Sequence, residues 1–170
     1  MTTTAHGSVR STKSIQADWF EQALALLAVL LLMMVLAALA RGYADWGKIP
    51  ATVWLHLATI IPTVALTPVM LLRRRGDRLH RALGTIWVAA MLATALGSFS
   101  IRNANDGGFS FIHILSVWTC IQVPVIWWSA RTHQINRHRQ SVRGMVTGAL
   151  LIAGFFTFPF NRMLGQFLFG

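Results

Sequence analysis

Four of the chain's six histidines, His56, His80, His113 and His138, stand near the starts of apolar segments, and they fall in pairs. His56 and His113 are 57 residues apart, and His80 and His138 are 58 apart. Imidazole is the commonest metal ligand among side chains, and it ligates in its neutral form. Asp77 reads as an N-cap that puts His80 at the third helical position, Ser110 does the same for His113, and Asn136 caps the last helix just before His138. The positive end of the helix dipole lies there, disfavours imidazolium and favours the ligating form. A haem held by two axial histidines needs two imidazoles at equal depth with a flat slot between them. The pairs therefore predict two b-type haems, one between His56 and His113 and one between His80 and His138. Ala58, Gly84, Gly97, Gly144, Gly148 and Gly154 would make room for the macrocycles. Arg81, Arg137 and Arg139 would pair with the inner propionates. His6 and His133 are not expected to be axial ligands, although His133 could join His80 and His138 in a metal site.

Such pairs form only if helices bring them together. Charged residues make up 12% of the 170 and hydrophobic ones 55%, against about 25% charged in an average soluble domain. The apolar residues come in blocks, at about 23–40, 51–72, 79–101, 110–130 and 140–160. About 20 apolar residues span the hydrocarbon core as a helix. The expectation is an all-α integral membrane protein of five transmembrane helices. Residues 1–22 form a cytoplasmic segment, 23–41 an accessory first helix, and 51–170 a four-helix membrane core. Ala38-Leu39-Ala40 looks like a signal-peptide cleavage site, but the apolar run before it exceeds the ~7–15 residues of an h-region, so it reads as an uncleaved anchor.

Basic residues set the orientation. Arg73, Arg74, Arg75, Arg78 and Arg81 follow the second block, Arg131, Arg137, Arg139 and Arg143 follow the fourth, and Arg10 and Lys13 precede the first. The other side carries Arg41, Lys48, Arg102 and Arg162. The positive-inside rule places the Arg-rich loops and the N-terminus in the cytoplasm and the C-terminus outside. Trp46, Trp54, Phe109, Trp127 and Trp128 lie near block ends, as in an aromatic belt. Pro62, Pro68, Pro124 and Pro159 each remove a backbone donor and free a carbonyl one turn earlier. Thr59, Thr63 and Thr119 are expected to help satisfy such groups.

The second and third blocks resemble the fourth and fifth. Leu55-His56 matches Ile112-His113, Pro68 matches Pro124, His80 matches His138, and the glycine of Leu96-Gly97-Ser98 matches that of Ala153-Gly154-Phe155. Halves 51–101 and 110–160 with one topology make a parallel repeat about an axis along the membrane normal. Equivalent histidines would then face each other at one depth.

The formal net charge of +10 does not indicate nucleic acid, because the charges lie between apolar blocks with no basic face or nucleic-acid motif. Cationic loops beside anionic lipid headgroups account for it. Cys120 is the single cysteine, which excludes a disulfide framework, and it reads as a small buried hydrophobe. Glu21 and the four aspartates lie outside the predicted membrane core, against a proton pump or a hydrolase.

From His56 to Gly170 the chain resembles a bacterial family of predicted membrane proteins classed as a domain of unknown function. The resemblance is carried by the segment from Leu79-His80-Arg81 to Trp87, by Phe109-Ser110-Phe111-Ile112-His113-Ile114-Leu115-Ser116, and by His138-Arg139 with Arg143-Gly144-Met145. Ile152 to Pro159, Asn161-Arg162-Met163 and the final Phe169-Gly170 add to it. The family usually has Gly where this chain has Asn161, and the first helix lies outside the resemblance. It implies a multi-pass protein of the bacterial inner membrane and brings no reaction with it. The chain is also similar to two-haem transmembrane b-type cytochromes of the ascorbate-reducing class, in which four core helices each supply one haem ligand.

The expected function is transmembrane electron transfer by a di-haem protein in the lipid bilayer, with a quinone or another redox subunit as partner. The chain would then be the haem-carrying subunit of a membrane oxidoreductase. Two alternatives stay open. One is a non-enzymatic membrane subunit or scaffold whose interfacial histidines and arginines bind headgroups or a larger complex. The other is a histidine-based metal site or carrier, weakened by the lack of intramembrane carboxylates and cysteine pairs.

Overall fold

Asp18 starts the first helix. Its carboxylate accepts the Glu21 N–H at 3.1 Å, and the Glu21 carboxylate accepts the Asp18 N–H at 3.1 Å, so both end donors are satisfied in a capping box. The helix that follows, α1 (Trp19–Arg41), is apolar on every side. At 1.5 Å per residue it is about 34 Å long, enough for a hydrocarbon core of roughly 30 Å.

A computed structural model describes residues 16–101, 111–160 and 162–170, and these are helical with no strand. After α1 come a 3-10 segment (Tyr43–Lys48), α2 (Ala51–Leu72), α3 (Arg78–Ser98), α4 (Phe111–Arg131) and α5 (Ile135–Met145). The rod begun by α5 continues through a π-helical segment (Val146–Ile152) into α6 (Ala153–Phe155), and α7 (Met163–Phe169) follows a turn. Three of these helices, α1, α2 and α3, are long and apolar enough to cross a membrane.

Asp77 caps α3 as expected, its carboxylate accepting the His80 N–H at 2.6 Å. Asn136 does not cap α5. The helix starts earlier, with Gln134 at the cap position, and Asn136 lies within its first turn. The cap expected at Ser110 lies outside the described residues. The threonines also act differently from the expectation. Pro62 and Pro68 free the carbonyls of Ala58 and Val64, yet Thr59 Oγ1 donates to His56 O (2.9 Å), Thr63 to Thr59 O (2.7 Å) and Thr67 to Thr63 O (2.8 Å). Thr119 likewise donates to Leu115 O at 2.8 Å and not to Cys120 O, the carbonyl that Pro124 frees. A threonine hydroxyl reaches back one turn from its own position. These four therefore reach carbonyls other than those the prolines release.

Consecutive helices pack side by side from α1 to α5, and α1 also packs on the π segment and α7, so the series of neighbours closes on itself. Leu24, Ala25, Ala28 and Leu31 of α1 join Leu57, Val64, Trp87, Met91, Ile126 and Leu150 in one buried cluster. The opposite side of α1, with Leu26, Leu30 and Met33, is exposed. A helix apolar all round but buried on one stripe suits lipid on its other face. Hydroxyl pairs tie the neighbours together. Trp87 Nε1 donates to Thr67 Oγ1 at 3.0 Å and Thr94 to Thr59 at 2.8 Å between α3 and α2, and Ser98 and Ser116 share a 2.6 Å bond between α3 and α4.

Candidate functional site

Towards the end of the bundle that carries the 3-10 segment, the helices line a half-open cavity of about 790 Å³. That is within the roughly 300–1,000 Å³ typical of small-molecule and cofactor sites. Its walls are mostly apolar, from Leu31 and Val35 of α1, Ile60 and Val64 of α2, Met91 of α3 and Leu150 of the π segment. Into it come His56 of α2 and His113 of α4, together with Thr94, Ser98, Ser116 and Thr119. His113 is buried and its ring lies 6.1 Å from that of Phe99. His56 is half-buried against the Thr94 backbone, and its Nδ1 is buried with no hydrogen-bond partner. Lys48 and Arg162 complete the lining.

The second pair lies at the other end. His80, near the start of α3, and His138, near the start of α5, are within electrostatic reach of each other. His138 Nδ1 is 3.1 Å from the Ile126 carbonyl oxygen. A carbonyl only accepts, so Nδ1 carries the proton and the neutral ring presents its lone pair at Nε2. A carbonyl holding the far ring nitrogen in this way orients a ligating imidazole. His80 Nδ1 is buried without a hydrogen-bond partner.

The same end holds a cluster of charges around one buried glutamate. Glu21, in the first turn of α1, is only 1% exposed. It accepts from Arg139 Nε (2.7 Å) and Nη2 (2.9 Å), from Arg143 Nε (3.2 Å) and from Arg75 Nη2. Asp18 binds Arg143 and lies 3.1 Å from Arg139. Although desolvation pulls the other way, the Glu21 N–H and Arg143 hold the Asp18 carboxyl below its ordinary value. The Arg73 guanidinium, helped by the His80 N–H, does the same for Asp77. One signal for the cluster was present in the sequence: an Asp-x-x-Glu capping box opening the longest apolar run.

The structure thus brings His56 and His113 to one cavity and His80 near His138. Arg139 is engaged by Glu21 and Asp18, while Arg81 and Arg137 are exposed. Of the small residues expected to accommodate macrocycles, Gly154 lines the cavity, while Gly84, Gly144 and Gly148 have other neighbours. Gly144 and Gly148 seat the Trp118 indole, where an added Cβ would meet ring carbons at 3.7 and 3.0 Å, and Gly154 is packed by Leu31. Gly84 faces Met70, Gly97 has open space beside it, and Ala58 is exposed. The reason is packing: bundle interiors fill small-residue notches with neighbouring side chains. His133 is exposed with a positive φ of 56°, and among the described residues no three His, Cys, Asp or Glu side chains converge as a metal site. Comparison with known protein families, characterised proteins and solved structures finds no match to this chain.

Proposed function

We propose that the chain is a di-haem membrane protein that carries electrons across the bilayer, with His56 and His113 as axial ligands near the outer face and His80 and His138 near the inner face. The observation that carries this reading is that His56 and His113, on different helices, line one apolar cavity of cofactor size. The donor set fits haem: two imidazoles from two different helices in a mostly apolar lining, and a buried, unpartnered ring nitrogen on His56. At the inner pair the Ile126 carbonyl fixes the tautomer that leaves His138 Nε2 available. Bound haem would supply one-electron chemistry, its potential set by axial ligands, burial and nearby charge. The chain's own residues would hold and orient the imidazoles.

In this reading the chain crosses the bilayer five times, N-terminus in and C-terminus out, in the bacterial inner membrane. The last four crossings form a core with a parallel internal repeat. Arg75, Arg139 and Arg143 meet at one end of the bundle, which supports a common side for both Arg-rich loops. A quinone or another redox subunit would exchange electrons with it. The resemblances to the bacterial membrane family and to two-haem b-type cytochromes rest on their motif residues. A second reading, a lipid-binding scaffold, draws on Arg74, Arg78 and Arg81, which are exposed at the same end.

A reduced-minus-oxidised visible spectrum of detergent-purified protein, with haem quantified per chain, decides between them. Two haems per chain are expected. A colourless protein would reject the electron-transfer reading and favour the scaffold.

A further inference from the structure

The cavity is not electrically balanced. Arg162 lines it, is half-buried, and among the described residues has no carboxylate partner. The described side-chain carboxylates are all committed elsewhere: Asp18 and Glu21 to the inner arginines, Asp77 to Arg73, and Asp45 to Lys48 at 2.5 Å. A guanidinium withdrawn from water beside an apolar wall is costly without an anion, and its planar fork of donors matches a carboxylate. The extended backbone of Arg162 places it just before α7, whose Met163 and Leu164 form adjoining wall. Lys48, held by Asp45, is a second cation on the same lining. A cavity with an apolar body, two imidazoles and an unneutralised arginine suits a flat amphiphile with carboxylates along one edge.

We infer that Arg162 is the carboxylate anchor of this cavity, receiving a propionate of the haem held by His56 and His113, with Lys48 as an auxiliary cation. The inference rests on the haem reading and names a residue outside its ligand set.

The test uses the full chain in detergent, stripped and titrated with haem b or with haem b dimethyl ester, whose propionates carry no charge. A His138→Ala background isolates the outer pair. The unaltered Arg162 should prefer the free acid by about tenfold or more, the scale of a charge-assisted hydrogen bond. Arg162→Gln should abolish that preference and lower the midpoint potential of the outer haem, because loss of a nearby cation favours the more positive oxidised iron. Arg162→Lys should retain part of both. An Arg162→Gln protein with preference and potential unchanged overturns the anchor while the haem reading stands. If that variant does not fold, equal affinity of the unaltered chain for acid and ester overturns it instead. Failure of the unaltered chain to take up haem overturns the haem reading, and the anchor with it.

Discussion

Arg139 and Glu21, 118 residues apart in sequence, are joined by two hydrogen bonds, Nε to Oε1 at 2.7 Å and Nη2 to Oε2 at 2.9 Å. This forked pair fastens the start of α1 to α5, immediately after His138. Arg75, from the loop between α2 and α3, shares the same carboxylate. One buried glutamate therefore links three separate parts of the chain at the end that carries the His80–His138 pair.

Glu21→Gln should destabilise the protein, since it leaves three guanidiniums around a neutral amide. Breaking a buried pair costs about 3–5 kcal/mol. The low end is expected, because Arg139 and Arg143 keep 19% and 24% of their side-chain exposure. Arg139→Lys should cost less, keeping the charge but losing the fork. Thermal unfolding in detergent measures both, and an unchanged midpoint for Glu21→Gln would count against a structural role for the cluster.

If the chain holds two haems as proposed, His56→Ala or His113→Ala should each remove one haem and spare the other, and His80→Ala or His138→Ala should do the reverse. Haem per chain and the low-temperature spectrum distinguish the two sites. Loss of both haems, or of neither, from a folded His113→Ala protein would reject the pairing.

Gly165→Ala should unseat α7. A Cβ at Gly165 would overlap the Phe158 carbonyl oxygen, and backbone cannot swing aside as a side-chain end can. Overpacking of this kind costs about 1–3 kcal/mol. Because α7 walls the cavity, the outer haem should be lost more readily than the inner one on heating, as followed by the two sets of absorbance bands.

Acid should loosen the cap of α1. The Asp18 carboxyl lies below its ordinary value of 3.8 in the folded protein. Its contribution is therefore fully present above that value and fades as pH falls through the lower, folded one. Asp18's share of the stability should therefore be constant from neutral pH down to about 5 and then fade. Asp18→Asn should shrink the fall below pH ~4 while lowering stability at neutral pH. An identical acid limb in the variant would show that Asp18 is not one of the groups responsible.

The positions of α1 to α4 were legible because apolar blocks of about 20 residues dictate helices wherever they occur, and Asp77 was legible because a cap acts within one turn. The last rod was less so. Its apolar block over 140–160, behind a cap expected at Asn136, predicts a plain helix, whereas the rod starts at Ile135, winds as a π-helix over Val146–Ile152 and stops at Phe155. Winding responds to what packs on the helix, here α1 and α4 against the π segment. The helix α7 was not foreseen, being too short to register as an apolar block. The place of Arg139 beside His138 points to a propionate partner, while its bond to Glu21 depends on a helix more than a hundred residues away.

By itself the sequence determined which stretches are helical and apolar, where several of them begin, and that four histidines stand near helix starts. Those properties follow from backbone and solvent energetics over one or a few turns. Only the tertiary structure decided that α1 completes the ring, that Glu21 gathers arginines 54, 118 and 122 residues away, and that His56 and His113 share a cavity with an arginine that has no carboxylate partner among the described residues. Such meetings depend on how helix surfaces interlock, which no local window of residues contains.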